Sequence, residues 1–460
     1  MLRFRATGLF LVSVALVVLA AVPADARTWP VKSTMTRAEI QQVFDLAKDG
    51  DRIQFHRGVY DFSDGPFVPM GTNSGAIVIT DKSLTVVGLN GAVIKGRAGD
   101  PDTGGVEDSG IAAFRIINPD QTKDVTFENL TFETFMVGIA AYCESVYPPL
   151  AFNLHSVTIR DCTFRDIRRN AIVVLLNSGS TTIVNNKIEE ARQAGLYINW
   201  EFAYDGSQHW QADGTLVDIS SNFIRAGTAA IFLICPTKIR IVGNTLEGLD
   251  TRHAVGLGIG GLKTEGLIAD NIIRHFSYGM ELSAGWVHAT LSEEFQRAVI
   301  RGNTLSDIFI VGIFIEGGLP HDNVVEGNAV DMNPGSWGAI STDGYNNRFL
   351  DNILTGWSNQ AVFLTYWDNT PNHGPIDAAH NEYFEANSVA GLTPDFSHYR
   401  LDPGTHDNII EGICAENATY SDYGVNNVIT CLFSSESISR ALSRRSVQSA
   451  RMGTRPRIDW

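Results

Sequence analysis

Short runs in which apolar and polar residues alternate recur along most of the chain, and an asparagine marks the start of each repeat. Alternation with a period of two is typical of β-strands. Repeats of this length, roughly 20 to 36 residues, indicate stacked units that bury their apolar faces against one another. The sequence therefore predicts an all-β fold, a β-solenoid. The repeated residue occurs at Asn129, Asn186, Asn222, Asn244, Asn271, Asn303, Asn328, Asn352, Asn387 and Asn408, and Cys162 takes its place in one coil.

The repeated Asn is interpreted as scaffold. Asn tolerates left-handed backbone geometry at a bend, and stacked Asn amides bond to one another along a solenoid. About ten residues later a small residue opens the alternating run, as at Gly195, Gly279, Gly312 and Ala361.

An amphipathic helix is predicted near the start of the chain, over residues 36–48. Thr36 and Glu39 have the spacing of a capping box. Apolar residues on one face would then pack against the first coil, namely Ile40, Val43, Phe44 and Ala47. Because the first coil of a solenoid exposes an open sheet edge, we expect this helix to cap it.

The first 26 residues are typical of a secretory signal peptide. Arg3 and Arg5 precede an uncharged apolar run, and cleavage is expected after Ala26. An uncleaved anchor is the alternative, but the run is short for a membrane span. We expect a secreted or periplasmic protein without a transmembrane segment. Residues 27–433 would form the solenoid, and the Ser- and Arg-rich residues 434–460 a disordered tail.

Charge and cysteine content restrict the partners. The chain carries 35 basic and 51 acidic residues, a formal net charge of −16, which argues against nucleic-acid binding. The five cysteines are too few for a disulfide framework, although Cys414 with Cys431, or Cys143 with Cys162, have spacings that permit pairing.

The N-terminal helix, a short first strand and Asn-punctuated coils together resemble the pectin-lyase-like right-handed parallel β-helix superfamily, over about residues 36–432. The resemblance implies a single right-handed parallel β-helix. Members include secreted polysaccharide lyases, glycoside hydrolases and uronate epimerases, with some non-catalytic surface proteins. The motifs that separate these activities are missing here, so the reaction has to be argued from individual residues.

The alternation assigns one outward-facing column along the third part of each coil. If Leu196 and Ile198 point inward, Tyr197 and Asn199 point outward. The same register predicts outward positions at Phe232, Ile234, Gly258, Gly260, Glu281, Ser283, Phe314, Glu316, Ile340, Thr342, Phe363 and Thr365. Strand geometry puts the Cα atoms of Glu281 and Glu316 about 8 Å apart. The paired carboxyls of glycosidases are about 6.5–9.5 Å apart in inverting enzymes and about 5–5.5 Å apart in retaining ones, so the pair is compatible with glycoside hydrolysis. The alternative is that both Glu residues are exposed and only solvated.

Long insertions leave the strands that carry this column, and their aromatic residues suit sugar rings. Five of the eight tryptophans lie at these strand ends, namely Trp200, Trp210, Trp286, Trp337 and Trp367. The predicted substrate-binding residues are Tyr197, Asn199, Trp200, Glu201, Trp210, Trp286, His288 and Trp367.

Two alternatives remain open. A polysaccharide lyase would use Lys263 and Arg274, with Ca²⁺ on Glu281 or Glu316, whereas a hydrolase requires no cofactor. A non-catalytic carbohydrate-binding or envelope protein would use the same surface without chemistry. No metal site is assigned, since the acidic segment 100–108 lacks ligands of a calcium loop, and His373, Asp377 and His380 are loosely spaced.

Overall fold

The backbone coils into three faces of parallel strands that run the length of the molecule. The computed structural model describes residues 26–64, 68–69, 75–97, 109–110, 112–117, 122–141, 155–175, 179–199, 216–234, 238–249, 254–260, 264–283, 295–316, 320–364, 379–412 and 419–431. The predicted all-β parallel solenoid is confirmed over these ranges. No helix among them has the length and apolar character to cross a membrane.

The strands of each face pair in register with those of the neighbouring coils. The first face consists of β1 Thr28–Val31, β2 Arg52–Phe55, β6 Leu84–Gly88, β10 Asp124–Glu128, β12 Ser156–Arg160, β14 Thr181–Val184, β17 Leu216–Ser220, β20 Lys238–Val242, β23 Thr264–Ala269, β25 Phe295–Arg301, β27 Val324–Glu326, β29 Arg348–Leu350, β31 Tyr383–Glu385, β33 Ile409–Gly412 and β35 Val428–Cys431. Strands confined to the second face are β3 Gly58–Asp61, β7 Ala92–Lys95, β15 Lys187–Ala191, β18 Phe223–Ala226 and β21 Thr245–Gly248. Those confined to the third are β5 Ile77–Thr80, β9 Ala112–Ile117, β16 Ala194–Asn199, β19 Ala229–Ile234, β22 Val255–Gly260 and β34 Tyr420–Asp422.

Longer strands bend from the second face into the third without a break in assignment. They are β11 Thr131–Ala141, β13 Thr163–Leu175, β24 Ile272–Ser283, β26 Thr304–Glu316, β28 Ala329–Thr342, β30 Ile353–Leu364 and β32 Ser388–Leu401. A short antiparallel pair, β4 Val68–Pro69 with β8 Ser109–Gly110, completes the set.

One continuous apolar core lies inside the coils, because alternate residues of every face point inward. Identical side chains stack on neighbouring coils, as in Phe132 on Phe164 and Phe349 on Phe384, whose ring centroids are 4.8 and 4.3 Å apart. The alternating pattern in the sequence is therefore the inside–outside pattern of the solenoid.

The small residue that opens each third-face strand is required by close packing at the bend. A Cβ added to Gly279 would lie 2.5 Å from Leu305 Cδ2, and one added to Gly312 would lie 2.4 Å from Val330 Cγ1. Both distances are shorter than van der Waals contact, so the core side chain of the next coil needs the space that a larger residue would fill.

The predicted asparagine ladder is confirmed at the bend between the first and second faces. Eight buried side chains stack along the axis, and each of the first seven amides donates to the next Oδ1 at 2.8–3.0 Å. Each amide also donates to a backbone carbonyl of an earlier strand, as that of Asn186 does to Ile159. The eight residues are Asn186, Asn222, Asn244, Asn271, Asn303, Asn328, Asn352 and Asn387. Cys162 starts this ladder as predicted, and its backbone N–H donates to Asn186 Oδ1 at 3.0 Å.

Two members of the repeat were placed wrongly by the sequence pattern. Asn129 is exposed and has a φ of 54°, so it takes the left-handed position that precedes the ladder residue. Asn408 belongs to a second ladder near the C-terminal end, which begins at Asn323 and Asn347. The left-handed geometry expected of the ladder Asn is instead adopted by the residue before it, as at Asp270.

The N-terminal helix, α1 Arg37–Leu46, has the predicted capping box. Thr36 accepts from the backbone of Glu39, and Glu39 accepts from the backbone of Thr36. Its side chain Phe44 is buried against Phe55 and Phe114, with centroids 6.4 and 5.7 Å away. The helix ends two residues short of the predicted Lys48, and its role as a cap stays a prediction.

Several predictions concern residues beyond the described ranges. The signal segment before Ala26 and the tail 434–460 are among them, as are Cys143, Cys235 and Cys414. Cys162 is a buried free thiol, so its suggested pairing with Cys143 is wrong. Burial raises the pKa of this thiol to about 12, which makes it a packing residue rather than a reactive one.

Candidate functional site

The outward column of the third face follows the predicted register over its central coils. Tyr197 pairs with Phe232, then Gly258, Glu281 and Phe314 follow on successive strands. Because the residues on either side of each are fully buried, these five point away from the core.

The register slips by one residue in the next coil. Phe314 pairs with Ser341, whereas Ile340 and Thr342 are buried, so their predicted outward positions are wrong. The shift arises at the bend before this strand. Ala339, and not Gly338, lies opposite Gly312, so the inward–outward alternation begins one residue later than predicted. The column returns to the predicted residue at Phe363, which pairs with Ser341, and continues to Arg400.

The two candidate carboxylates lie diagonally across neighbouring strands. Glu281 pairs with Phe314 and Glu316 pairs with Ser283, so the acids are one strand and two residues apart. This offset corresponds to about 8 Å between Cα atoms. Glu281 is only 6% exposed although it faces outward. For Glu316 the structure describes the backbone and not the side chain.

Aromatic rings border this pair. Tyr197 and Phe232 stack nearly parallel, with centroids 5.9 Å apart and an interplanar angle of 12°. Phe232 leans over the next strand, since its Cδ2 would lie 2.8 Å from a Cβ at Gly258. Asn199 donates its amide to the Tyr197 hydroxyl at 3.3 Å. The glycine thus leaves room for a flat aromatic surface one strand away from Glu281.

Polar residues that the sequence register missed extend the site toward the C-terminal end. Ser341 and Asp343 are 3% and 4% exposed, and the backbone of Asp343 continues the pairing beyond Ile315. Farther along, Arg400 and Asp402 form an ion pair at 3.0 Å. The signal in the sequence that could have placed this coil was the polar pair Ser341 and Asp343, two residues apart after the apolar Ile340.

A buried glutamate lies directly behind these residues. Glu382 is fully buried, and its Oε1 accepts from Asn347 Nδ2 at 2.9 Å and from Thr342 Oγ1 at 3.2 Å. Desolvation raises the pKa of Glu382 to about 8, and the negative charge of Asp343 acts in the same direction, against the opposing effect of the hydrogen bonds.

Arg274, a candidate for lyase chemistry, lies on a different face from Glu281. It belongs to a column of alternating charge on the second face and pairs with Glu247 at 2.9 Å. The bend from His275 to Gly279 separates it from the third-face strand. Neighbouring coils carry the opposite charge along this column, which consists of Asp61, Lys95, Glu133, Arg165, Glu189, Arg225, Glu247 and Arg274.

The remaining predicted site residues lie outside the described residues. They are Lys263, Trp200, Glu201, Trp210, Trp286, His288 and Trp367. Trp337 was grouped with the strand-end tryptophans, which is wrong, because it lies within β28 at the bend before the third face.

No group of three or more metal-ligating side chains occurs in the part of the chain that the structure describes. Four rings form one stack in the order His321, Tyr345, His380 and His406, with 4.7–5.2 Å between neighbouring centroids and nearly parallel planes. Stacked rings do not converge on one point, so they do not form a metal centre.

Comparison with known proteins supports the architecture. Residues 106–252 match the family described as right handed beta helix region, and residues 199–387 match the family described as periplasmic copper-binding protein (NosD). The described residues do not supply a ligand set for copper. No curated protein matches the sequence.

Two solved structures with a similar fold are an alginate lyase and a polygalacturonase. A PL6 alginate lyase in complex with a trisaccharide has 13% identity and a TM-score of 0.50, covering 86% of this chain and 89% of that chain. The family 28 exopolygalacturonase of Yersinia enterocolitica has 11% identity and a TM-score of 0.46, covering 89% and 80%. Such low identity shows the fold alone. Together with the first family match, the likeness to the alginate lyase shows that this chain has the right-handed parallel β-helix fold.

Proposed function

We propose that this protein is a secreted or periplasmic carbohydrate-active enzyme that cleaves glycosidic bonds of a polysaccharide, with Glu281 and Glu316 as the catalytic pair. The observation that carries the proposal is their diagonal placement on adjacent third-face strands. Gly258, which pairs with Glu281, gives the ring of Phe232 room to lie over its strand, and the stacked rings of Tyr197 and Phe232 border the pair.

Hydrolysis with paired carboxylates divides the work between two groups. One carboxyl donates a proton to the oxygen of the leaving sugar, and the other activates water or attacks the sugar carbon. The Cα separation of about 8 Å allows both the wider, inverting and the narrower, retaining arrangement, because glutamate side chains are long. Water that enters the inverting arrangement would bind between the two carboxyls.

The aromatic border provides the means to orient a sugar ring. A pyranose has an apolar face that packs on an aromatic ring, while its hydroxyls bond to polar groups at the edge. Tyr197 and Phe232 present such a surface, and Asn199 is held at its edge. Trp200, Trp210, Trp286 and Trp367, with Glu201 and His288, complete the proposed substrate-binding set.

Hydrolysis is favoured over β-elimination because of where Arg274 lies. Its guanidinium is paired with Glu247 on the second face, whereas the lyase proposal needs it beside Glu281 to neutralise a uronate. Ca²⁺ would be required only by the lyase mechanism. A non-catalytic sugar-binding protein remains the alternative, and it is distinguished by the experiment below.

An extracytoplasmic location agrees with the periplasmic description of the NosD family. In this proposal residues 1–26 are removed on export, residues 27–433 form the β-helix domain, α1 covers its N-terminal edge and residues 434–460 are a tail.

The test is an activity assay on purified protein with a panel of neutral and uronate polysaccharides. Hydrolysis produces reducing ends without the ultraviolet absorbance of unsaturated uronates, and elimination produces both. Glu281→Gln and Glu316→Gln should each lower kcat by about 10²–10⁴-fold, the usual contribution of a general acid or base. Glu326→Gln, on the first face, is the matched control and should leave kcat unchanged. Full activity in either active-site variant would overturn the assignment, and binding without any product would identify a non-catalytic protein.

A further inference from the structure

A second surface with the chemistry of a sugar site lies on the ridge between the second and third faces. Four consecutive strands, β24, β26, β28 and β30, contribute to it. We call it the ridge surface, and its residues are His275, Asp307, Phe309, Asn333, Trp337 and Trp357.

Two tryptophans on neighbouring coils dominate this surface. Trp337 is 52% exposed and Trp357 is 44% exposed. The strands that carry them are joined here, since Ser336 Oγ donates to the backbone carbonyl of Trp357 at 2.9 Å. A single exposed apolar residue is common on protein surfaces, but two exposed indoles on neighbouring coils are a costly choice where polar residues would serve.

A fixed polar group lies on the same ridge, and its Asn333 shares β28 with Trp337. His275 Nδ1 is 2.6 Å from Asp307 Oδ2, and Asn333 donates its amide to Asp307 Oδ1. Partial burial works against ionisation of Asp307, but the bonds from His275 and Asn333 outweigh it and hold the pKa of Asp307 below its usual range. Because the carboxylate oxygen accepts, Nδ1 of His275 carries the proton of this bond, and Nε2 is the ring nitrogen left to bond to a ligand. Phe309 packs edge-on against the imidazole, with centroids 5.6 Å apart.

His275 and Asp307 occupy equivalent positions of this bend on the neighbouring strands β24 and β26. The φ of His275 is 66°, in the left-handed region, and that of Asp307 is 57°. Thr134 and Asp166 take the same left-handed conformation at this bend in earlier coils, with φ values of 60° and 48°. The conformation therefore belongs to the bend, and it sets the backbone from which His275 and Asp307 meet.

We infer that the ridge surface binds pyranose rings of an uncharged polysaccharide, at a site separate from the groove of Glu281 and Glu316. Indole faces would pack on the rings, and His275 with Asn333 would bond to hydroxyls. The charge of the ridge favours a neutral polymer over a uronate, because Asp307 is ionised and Asp331 is exposed on the next strand. Binding at the ridge requires no catalysis, so it can be tested independently of the proposed hydrolysis.

The experiment is native electrophoresis of the full chain through gels that contain a neutral or a uronate polysaccharide. Wild type should be retarded by at least one neutral polymer. Trp337→Ala and Trp357→Ala should each weaken binding about tenfold, equivalent to about 1.4 kcal/mol. Trp357→Tyr, which retains a ring, should bind nearly as well as wild type. Circular dichroism would confirm that each variant is folded.

Matched controls separate the ridge from other surfaces. Tyr423→Ala removes an aromatic side chain that is 62% exposed on the last coil, and it should not alter retardation. Glu281→Gln should lower the kcat of cleavage by about 10²–10⁴-fold while ridge binding persists. The inference is overturned if the double variant of Trp337 and Trp357 is retarded like wild type, if only uronate polymers retard the protein, or if no polymer does. Loss of retardation in Glu281→Gln alone would assign the binding to the groove.

Discussion

Glu382 occupies a place in the second ladder that asparagine fills on neighbouring coils, so the substitution Glu382→Gln tests how the ladder is held together. In this ladder Asn347 donates to Glu382 Oε1, and the backbone of Glu382 donates to Asn408 Oδ1. Glu382 Oε2 is buried and has no hydrogen-bond partner among the described residues. An asparagine at this position would donate from that side, which a carboxylate cannot do and a protonated carboxyl can.

The sign of the pH effect follows from the two protonation states. Burial raises the pKa of Glu382 to about 8 in the folded protein, from a reference value of 4.5. Between these values the unfolded chain binds fewer protons than the folded chain, so the free energy of unfolding falls as pH rises. The burial of Glu382 therefore costs stability that is recovered as pH falls toward the unfolded pKa. At pH 7 the cost is about 3 kcal/mol, since each pKa unit corresponds to about 1.4 kcal/mol.

Glu382→Gln should remove this dependence, because the glutamine amide donates from the same side at every pH. Urea unfolding followed by tryptophan fluorescence at about pH 5.5 and about pH 8 would measure it. Wild type should lose about 3 kcal/mol more than the variant between these conditions, and the variant should be the more stable protein at the higher pH. Comparing the two proteins cancels the other carboxylates, which titrate equally in both.

The matched control is Glu385→Gln, an exposed glutamate on the same strand β31. It should retain the pH dependence of wild type. Two results would refute the explanation that Glu382 is protonated in the folded protein. One is an equal pH dependence of the unfolding free energy in wild type and Glu382→Gln, and the other is a variant that is less stable than wild type at about pH 8.

Two further substitutions test the scaffold. Asn303→Leu removes an amide that bonds to Asn328 and to the Ile268 carbonyl, and it leaves the Asn271 amide without its acceptor. We expect the free energy of unfolding, measured in urea, to fall by about 2–4 kcal/mol. Unchanged stability would contradict a stabilising role of the ladder. Gly279→Ala forces a Cβ against Leu305 and should lower the free energy of unfolding by about 1–3 kcal/mol. A urea midpoint equal to that of wild type would show that the bend accommodates the extra methyl group without loss of stability.

Most of the fold could be predicted because a solenoid repeats its local rules. The ladder Asn, the small residue at the bend and the alternating run each recur at the same point of the coil, so errors in one coil are corrected by the others. Asn408 was misplaced because two ladders use the same residue type at different bends, and sequence spacing alone does not separate them.

The site was less predictable because a shift of one residue exchanges inside for outside. Gly338 and Ala339 are both small enough for the bend, and choosing the first hid Ser341 and Asp343. The contribution of Glu382 depends on its place in the second ladder, which only the three-dimensional stacking reveals. The ridge surface was missed for a similar reason, since Trp337 was assigned to a strand end rather than to a bend.

The contrast between two outward columns argues that the third face has a role besides stability. On the second face opposite charges alternate from coil to coil, and Arg165 bonds to both Glu133 and Glu189 at 3.0 and 3.1 Å. Like charges on neighbouring strands are unfavourable, and this arrangement avoids them. The third face does the opposite, since Glu281, Glu316 and Asp343 follow one another on three successive strands. A surface under selection for stability alone would not place three acids on successive strands. The proposed catalytic pair accounts for two of them.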